Sequence, residues 1–177
     1  MSKKIKQKCK KVDLVLTDVD GVLTDGGMFY SNGREEFKKF NARDGMAVEL
    51  LRSNGINTIF LTKDDSKVSK SRAKKLKIKI FYGIKNKEKK LNELCRIMKI
   101  NPENIAYIGD DINDIDIMKL VGLSASPNDA ISQVKKTADY ICENNGGSGA
   151  FREFADMILK EKFPDKTKWY WFIVSQI

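Results

Sequence analysis

Short apolar runs rich in β-branched residues alternate along this chain with stretches in which apolar residues recur every three or four positions. The runs are VDLVLT (12–17), NTIFLT (57–62), KIKIFYG (77–83), NIAYIGD (104–110), a short GLSAS (122–126) and ADYIC (138–142). Between them the spacing predicts helices near 45–54, 65–76, 86–99, 113–121, 128–136 and 149–161. In the first, Met46, Val48, Leu50 and Leu51 supply the apolar positions and Gly55 a stop. Near-continuous apolar strands suit a sheet buried on both faces. The alternation therefore predicts an α/β fold, a doubly wound parallel sheet covered by helices on either side.

One stretch departs from this rhythm. Residues 22–43, VLTDGGMFYSNGREEFKKFNAR, carry a turn signal at SNG between two β-like runs and predict a β-hairpin inserted after the first strand. No gap has room for a second domain, so residues 1–177 are expected to form one. The basic start, 1–11, is expected to lead into the first strand. The tail, 163–177, places four aromatics at Trp169–Phe172 after Pro164, a pattern expected to dock on the domain or on a partner subunit.

Composition narrows the chemistry. A chain of 177 residues can bury roughly 70% of its unfolded surface. Cys9, Cys95 and Cys142 lie far apart without metal-ligand spacing, as expected for reduced thiols in a cytoplasm. The absence of histidine excludes Ser-His-Asp and Cys-His hydrolysis and the H-E-x-x-H metalloproteases. No apolar run is long enough for a membrane span. The net charge of +9 is matched by residues 63–90 alone, which hold twelve Lys/Arg against three Asp/Glu. That excess suits a solvated helix face or the steering of an anionic ligand. Without interleaved aromatics beyond Phe81 and Tyr82 it makes a poor nucleic-acid surface.

Ligands of doubly wound sheets bind outside the carboxyl ends of the strands. Asp18 and Asp20 follow the first strand, Thr62 the second, Lys87 the run ending at Gly83, and Asp110, Asp111 and Asp114 the run AYIG. Each alone has an ordinary explanation: a turn-capping aspartate pair, a threonine capping the next helix, one lysine among Lys85, Lys89 and Lys90, an acidic helix start. Together they suggest a Mg²⁺ site. Hard carboxylate oxygens leave coordination positions open to phosphate, and a lysine adds the positive charge a phosphate needs among aspartates.

In order, DVDGVLTDG, the Leu-Thr pair at 61–62, Lys87 and GDDINDID resemble the four motifs of the haloacid dehalogenase-like phosphatases. More narrowly, FNARDG, AYIGDDIND, VGLS and NGGSGAFREFADMIL resemble the capless subfamily that acts on 3-deoxy-D-manno-octulosonate 8-phosphate and on nonulosonate 9-phosphates. The resemblance spans about residues 12–160. It implies a Rossmann-like fold without a cap, with Asp18 as nucleophile, Asp20 as general acid and base, and Thr62 and Lys87 holding the phosphoryl group. It implies Mg²⁺ on Asp18, the Asp20 carbonyl and Asp110, with Asp111 and Asp114 ligating through water or orienting the others. It further implies substrate contacts from Asp64, Arg72, Lys75, Arg43 and Arg152, and a homotetramer whose hairpins and glycine-rich segments, here NNGGSGAFRE, shape neighbouring sites. The same segment also reads as a glycine turn opening the last helix.

Where octulosonate enzymes show TGR after the second strand, this chain has TKDD, with Lys63 for the glycine and Asp64 for the arginine. That difference gives a slight preference for a nonulosonate 9-phosphate over the octulosonate ester. A receiver-type signalling module is the non-enzymatic alternative; Asp20, placed to hydrolyse an aspartyl-phosphate, argues against it. The chain is expected to bind a phosphorylated sugar acid, and neither nucleic acid nor membrane.

Overall fold

The computed structural model of the chain describes residues 1–32 and 34–164; the aromatic cluster Trp169–Phe172 lies outside them. Six strands form one parallel sheet: β1 (Leu14–Thr17), β4 (Asn57–Leu61), β5 (Lys79–Phe81), β6 (Ile105–Ile108), β7 (Leu123–Ser126) and β8 (Tyr140–Ile141), in the order β5-β4-β1-β6-β7-β8. The two intervening strands, β2 (Phe29–Ser31) and β3 (Arg34–Phe37), pair antiparallel as the expected hairpin, closed at its base by a bridge between Thr24 and Phe40. The helices are α1 (Lys3–Lys11), α2 (Ala42–Ser53), α3 (Lys67–Lys75), α4 (Lys87–Met98), α5 (Ile115–Leu120), α6 (Ser132–Thr137) and α7 (Ala150–Lys162). None is long and apolar enough to cross a membrane, among the described residues. No cap domain is present among them either.

The period of two within each strand divides the core. Leu14 and Leu16 of β1, Ile59 and Leu61 of β4, and Ile105 and Tyr107 of β6 enter one buried cluster with Leu91, Leu94, Ile117 and Val134 of α4, α5 and α6. Val15, Phe60, Ala106 and Ile108 point the other way, against Val48 and Leu51 of α2 and Phe151, Phe154 and Ile158 of α7. Apolar residues at every strand position are what a doubly covered sheet requires.

Two expectations change. The lysine-rich start forms a helix, because Ser2 caps it and it lays Ile5 and Cys9 against the larger cluster, with Lys8 pairing with Asp139. So little apolar surface on a lysine background gives no clear periodic signal. In α2, Val48, Leu50 and Leu51 are buried as expected, whereas Met46 is exposed and Ala47 takes the inward position in its place.

Phe154 is fully buried where α7 meets α2. Phe154→Ala is expected to destabilise the fold by about 3–5 kcal/mol, measured by urea denaturation.

Candidate active site

Because β1 lies between β4 and β6, the loops leaving these three strands converge at one end of the sheet. The Asp18 amide continues the ladder by donating to Ile108 O at 3.0 Å, and the Thr62 amide donates to Phe81 O at 2.9 Å. Backbone pairing thus carries both residues just past their strands into a cavity of about 490 Å³. Asp18, Asp20, Thr62, Asp64, Asp110 and Asp111 line it, with Lys63, Met28 and Asn113.

Beneath the cavity lies a buried polar network. Lys87, the first residue of α4, places its ammonium 2.8 Å from Asp18 Oδ2 and 2.6 Å from Asp114 Oδ1. It also donates to the Tyr107 hydroxyl at 3.0 Å, and that hydroxyl donates to Asp114 Oδ1 at 2.6 Å. Asp114 Oδ2 accepts the amides of Asp110 and Asp111 at 2.9 and 3.2 Å. Both Asp114 oxygens are therefore engaged, and the side chain anchors the loop after β6. Tyr107 was not anticipated; its only trace in the sequence is a polar-tipped residue in the alternation of IAYI.

Two ordinary explanations give way to the geometry. The cap of α3 is Ser66, whose hydroxyl accepts from Val68 and Ser69, whereas Thr62 Oγ1 accepts the Asp64 amide at 3.1 Å and turns the loop toward the cavity. Among the neighbouring lysines, Lys87 is the buried one.

Burial pushes Asp18 up to about 7, with Lys87 opposing and Asp114 adding to the rise. Burial likewise raises Asp110 to about 8, reinforced by Asp18 and Asp114. Lys87 stays above the ordinary lysine range because its two carboxylates outweigh the cost of burying the ammonium. Oxygens of Asp18, Asp110 and Asp114 all lie within 4.8 Å of one another. Asp110 Oδ1 is buried without a hydrogen-bond partner among the described residues. Gly21, at φ +82°, leaves this carboxylate room: a Cβ there would fall 2.0 Å from Asp110 Oδ2. Hard oxygen donors, one of them orphaned, fit a divalent cation held mainly by Asp18 and Asp110.

The structure does not bring Arg43, Arg72, Lys75 or Arg152 to this cavity in the single chain. Arg72 donates to Asn41 O at 3.1 Å and lies over the Phe40 ring, while Arg152 pairs with Asp156 at 2.7 Å. Arg43 and Lys75 are exposed elsewhere. The glycine segment supports this chain's own loop: Gly147 donates to Val22 O at 2.9 Å, and a Cβ on Gly146 would lie 1.9 Å from Gly21 O. It also opens α7, with Gly149 as cap. Lys38, overlooked in the sequence, sits behind the cavity with its ammonium 2.8 Å from Asp20 and 2.7 Å from Asp64.

The sequence description of the haloacid dehalogenase-like hydrolases matches residues 48–154. The 3-deoxy-D-manno-octulosonate 8-phosphate phosphatase of Haemophilus influenzae is 38% identical over 157 residues, 88% of this chain and 87% of that protein. The cobalt-bound form of the H. influenzae phosphatase superposes with a TM-score of 0.85 at 38% identity, covering 88% of this chain and 92% of the other. The Moraxella catarrhalis phosphatase, crystallised with magnesium, phosphate and KDO, gives a TM-score of 0.91 at 33% identity over 100% of both chains.

A carboxyl group raised by the fold contributes stability present below its unfolded value near 3.8, and this contribution is lost as pH rises through the folded value. Without metal, the unfolding temperature should therefore carry a downward component between about pH 4 and 8 that Asp110→Asn flattens. Added divalent cation should stabilise the protein increasingly over the same range, because it requires the deprotonated carboxylates. Thermal scans at fixed ionic strength read both.

Proposed function

This chain belongs to the haloacid dehalogenase-like hydrolases and is a sugar-acid phosphatase; from that premise we propose that it hydrolyses 3-deoxy-D-manno-octulosonate 8-phosphate with Mg²⁺. The observation carrying this reading is the convergence of Asp18, Asp20, Thr62, Lys87 and Asp110 around one cavity and its floor, joined to the likeness to octulosonate phosphatases over most of the chain.

In the proposed reaction an Asp18 oxygen bonds to phosphorus as the bond from phosphorus to the sugar oxygen breaks. Asp20 gives that oxygen its proton. Water then attacks phosphorus, the bond to Asp18 breaks, and Asp20 takes up the water's proton as inorganic phosphate leaves. Lys87 holds Asp18 in place and offsets charge on the phosphoryl oxygens, and Thr62 faces the same space. Asp18, the Asp20 carbonyl and Asp110 would hold Mg²⁺, which when bound screens the carboxylates from the incoming phosphate. Asp111, on the cavity wall, would contribute through water, and Asp114 through the amides it grips.

A second reading, a nonulosonate 9-phosphate, is favoured by one observation: Lys63 and Asp64 stand in the cavity wall where octulosonate enzymes carry glycine and arginine. The hairpin exposes Phe29, Tyr30 and Phe37, with Phe29 opposite Phe37 across the two strands, and part of Met28. That surface supports the proposal of a homotetramer, which could also bring Arg43 or Arg152 of one copy toward another's cavity.

Asp18→Asn should lower phosphate release by at least about a thousandfold while leaving the circular dichroism spectrum unchanged. With wild-type protein and Mg²⁺, octulosonate 8-phosphate should give a higher kcat/KM than any nonulosonate 9-phosphate; the reverse order selects the second reading. Light scattering should give the mass of four chains, and Phe29→Asp with Phe37→Asp should lower it.

A further inference from the structure

We propose that Lys38 is a positioning residue of the phosphatase reaction: reaching from the hairpin beneath the cavity, it ties Asp20 to Asp64 and so aims the carboxylate that hands a proton to the departing sugar oxygen. The inference rests on the reading of Asp20 as the proton-transfer group. It adds a residue that the cavity wall does not contain, since Lys38 stands behind the lining.

The hairpin's alternation puts Lys38 there. Phe37 before it and Lys39 after it are exposed, whereas the Lys38 side chain is fully buried. Long lysine side chains ordinarily reach for water, and a buried ammonium is costly unless carboxylates surround it. Here Asp20 Oδ1 lies at 2.8 Å and Asp64 Oδ2 at 2.7 Å. These carboxylates stand on different loops, one after β1 and one after β4, and both face the cavity. One ammonium thus joins two walls from behind. Attachment of the hairpin alone does not require this arrangement: Lys39 pairs with Asp25 at 3.2 Å on the exposed side, and neither residue lines the cavity. A general acid contributes only when its carboxyl is aimed at the leaving atom, so a fixed Asp20 is a kinetic asset.

The test uses the full-length protein with Mg²⁺, the variants Lys38→Met and Lys38→Arg, and two esters. One is the sugar-acid phosphate that wild type hydrolyses fastest, whose alkoxide leaving group needs a proton. The other is 4-nitrophenyl phosphate, whose leaving group does not. First-turnover release of the leaving group isolates the step in question. Lys38→Met should slow release of the sugar by about 30–100-fold, with KM and nitrophenolate release each changed by less than about threefold; Lys38→Arg should recover much of the loss. Equal losses on both esters, or none on the sugar ester, overturn the proposal. If Lys38→Met does not fold, Lys38→Gln carries the same comparison. Wild-type protein inactive on every ester would sink the functional reading first. Crystals of metal-loaded Lys38→Met would then decide this one: a displaced Asp20 carboxylate supports it, and an unmoved one overturns it.

Discussion

The ammonium of Lys87, held between Asp18 and Asp114, is the contact on which the rest of the site depends. Two unit charges of like sign 4 Å apart repel by about 4 kcal/mol at an effective dielectric near 20, so carboxylates crowded at the ends of neighbouring strands would spread apart without a cation among them. Lys87 is supplied by α4, which the chain reaches only after β5. Its ion pairs therefore join the β5 side of the sheet to the loops after β1 and β6. Tyr107 fills the remaining space from β6, its ring in the core and its hydroxyl in the network, so the apolar packing and the polar site share one side chain.

Much of this was legible in the chain. Near-continuous apolar runs separated by helical spacing implied the parallel sheet, and aspartates, threonine and lysine at the ends of those runs pointed to the cavity, because a doubly wound sheet gathers its strand ends in one place. What stayed hidden depended on direction rather than identity. Nothing in FKKF states which lysine turns inward; the path of the chain between the end of β3 and the Thr24–Phe40 bridge decides between Lys38 and Lys39. The family resemblance implied a substrate contact from Arg72, yet α3 aims it back at Asn41 and Phe40. The glycines at 146–149 announced a turn. That they press against the backbone at Gly21 and Val22 follows only from tertiary packing.

The basic stretch 63–90 divides in the same way. Lys63 lines the cavity and Lys87 lies under it. Elsewhere in the stretch, Lys70 lies over the Tyr82 ring, and Lys79 and Lys90 lie near Phe81. The solvated-face explanation therefore accounts for most of the excess charge, and the functional one for two residues whose placement gives them far more influence than their number. An anion entering the cavity meets Lys63 on its wall and Lys87 beneath it at contact.

Function and stability pull against each other here. Burial raises Asp18 and Asp110 because the fold withholds from them the solvation a carboxylate needs, and Asp110 keeps an oxygen with no partner among the described residues. A site optimised for the empty protein would have given that oxygen a donor or replaced the carboxylate with an apolar group. Gly21 instead clears the space that a side chain would fill, and Gly146 lets the supporting loop approach closely enough to hold Gly21 there. The fold therefore spends part of its core's stability on keeping acidic oxygens together, and a bound divalent cation restores it by binding only the folded arrangement. The cation that would bring phosphate into the cavity is thus also the ligand that would stabilise the loops forming it.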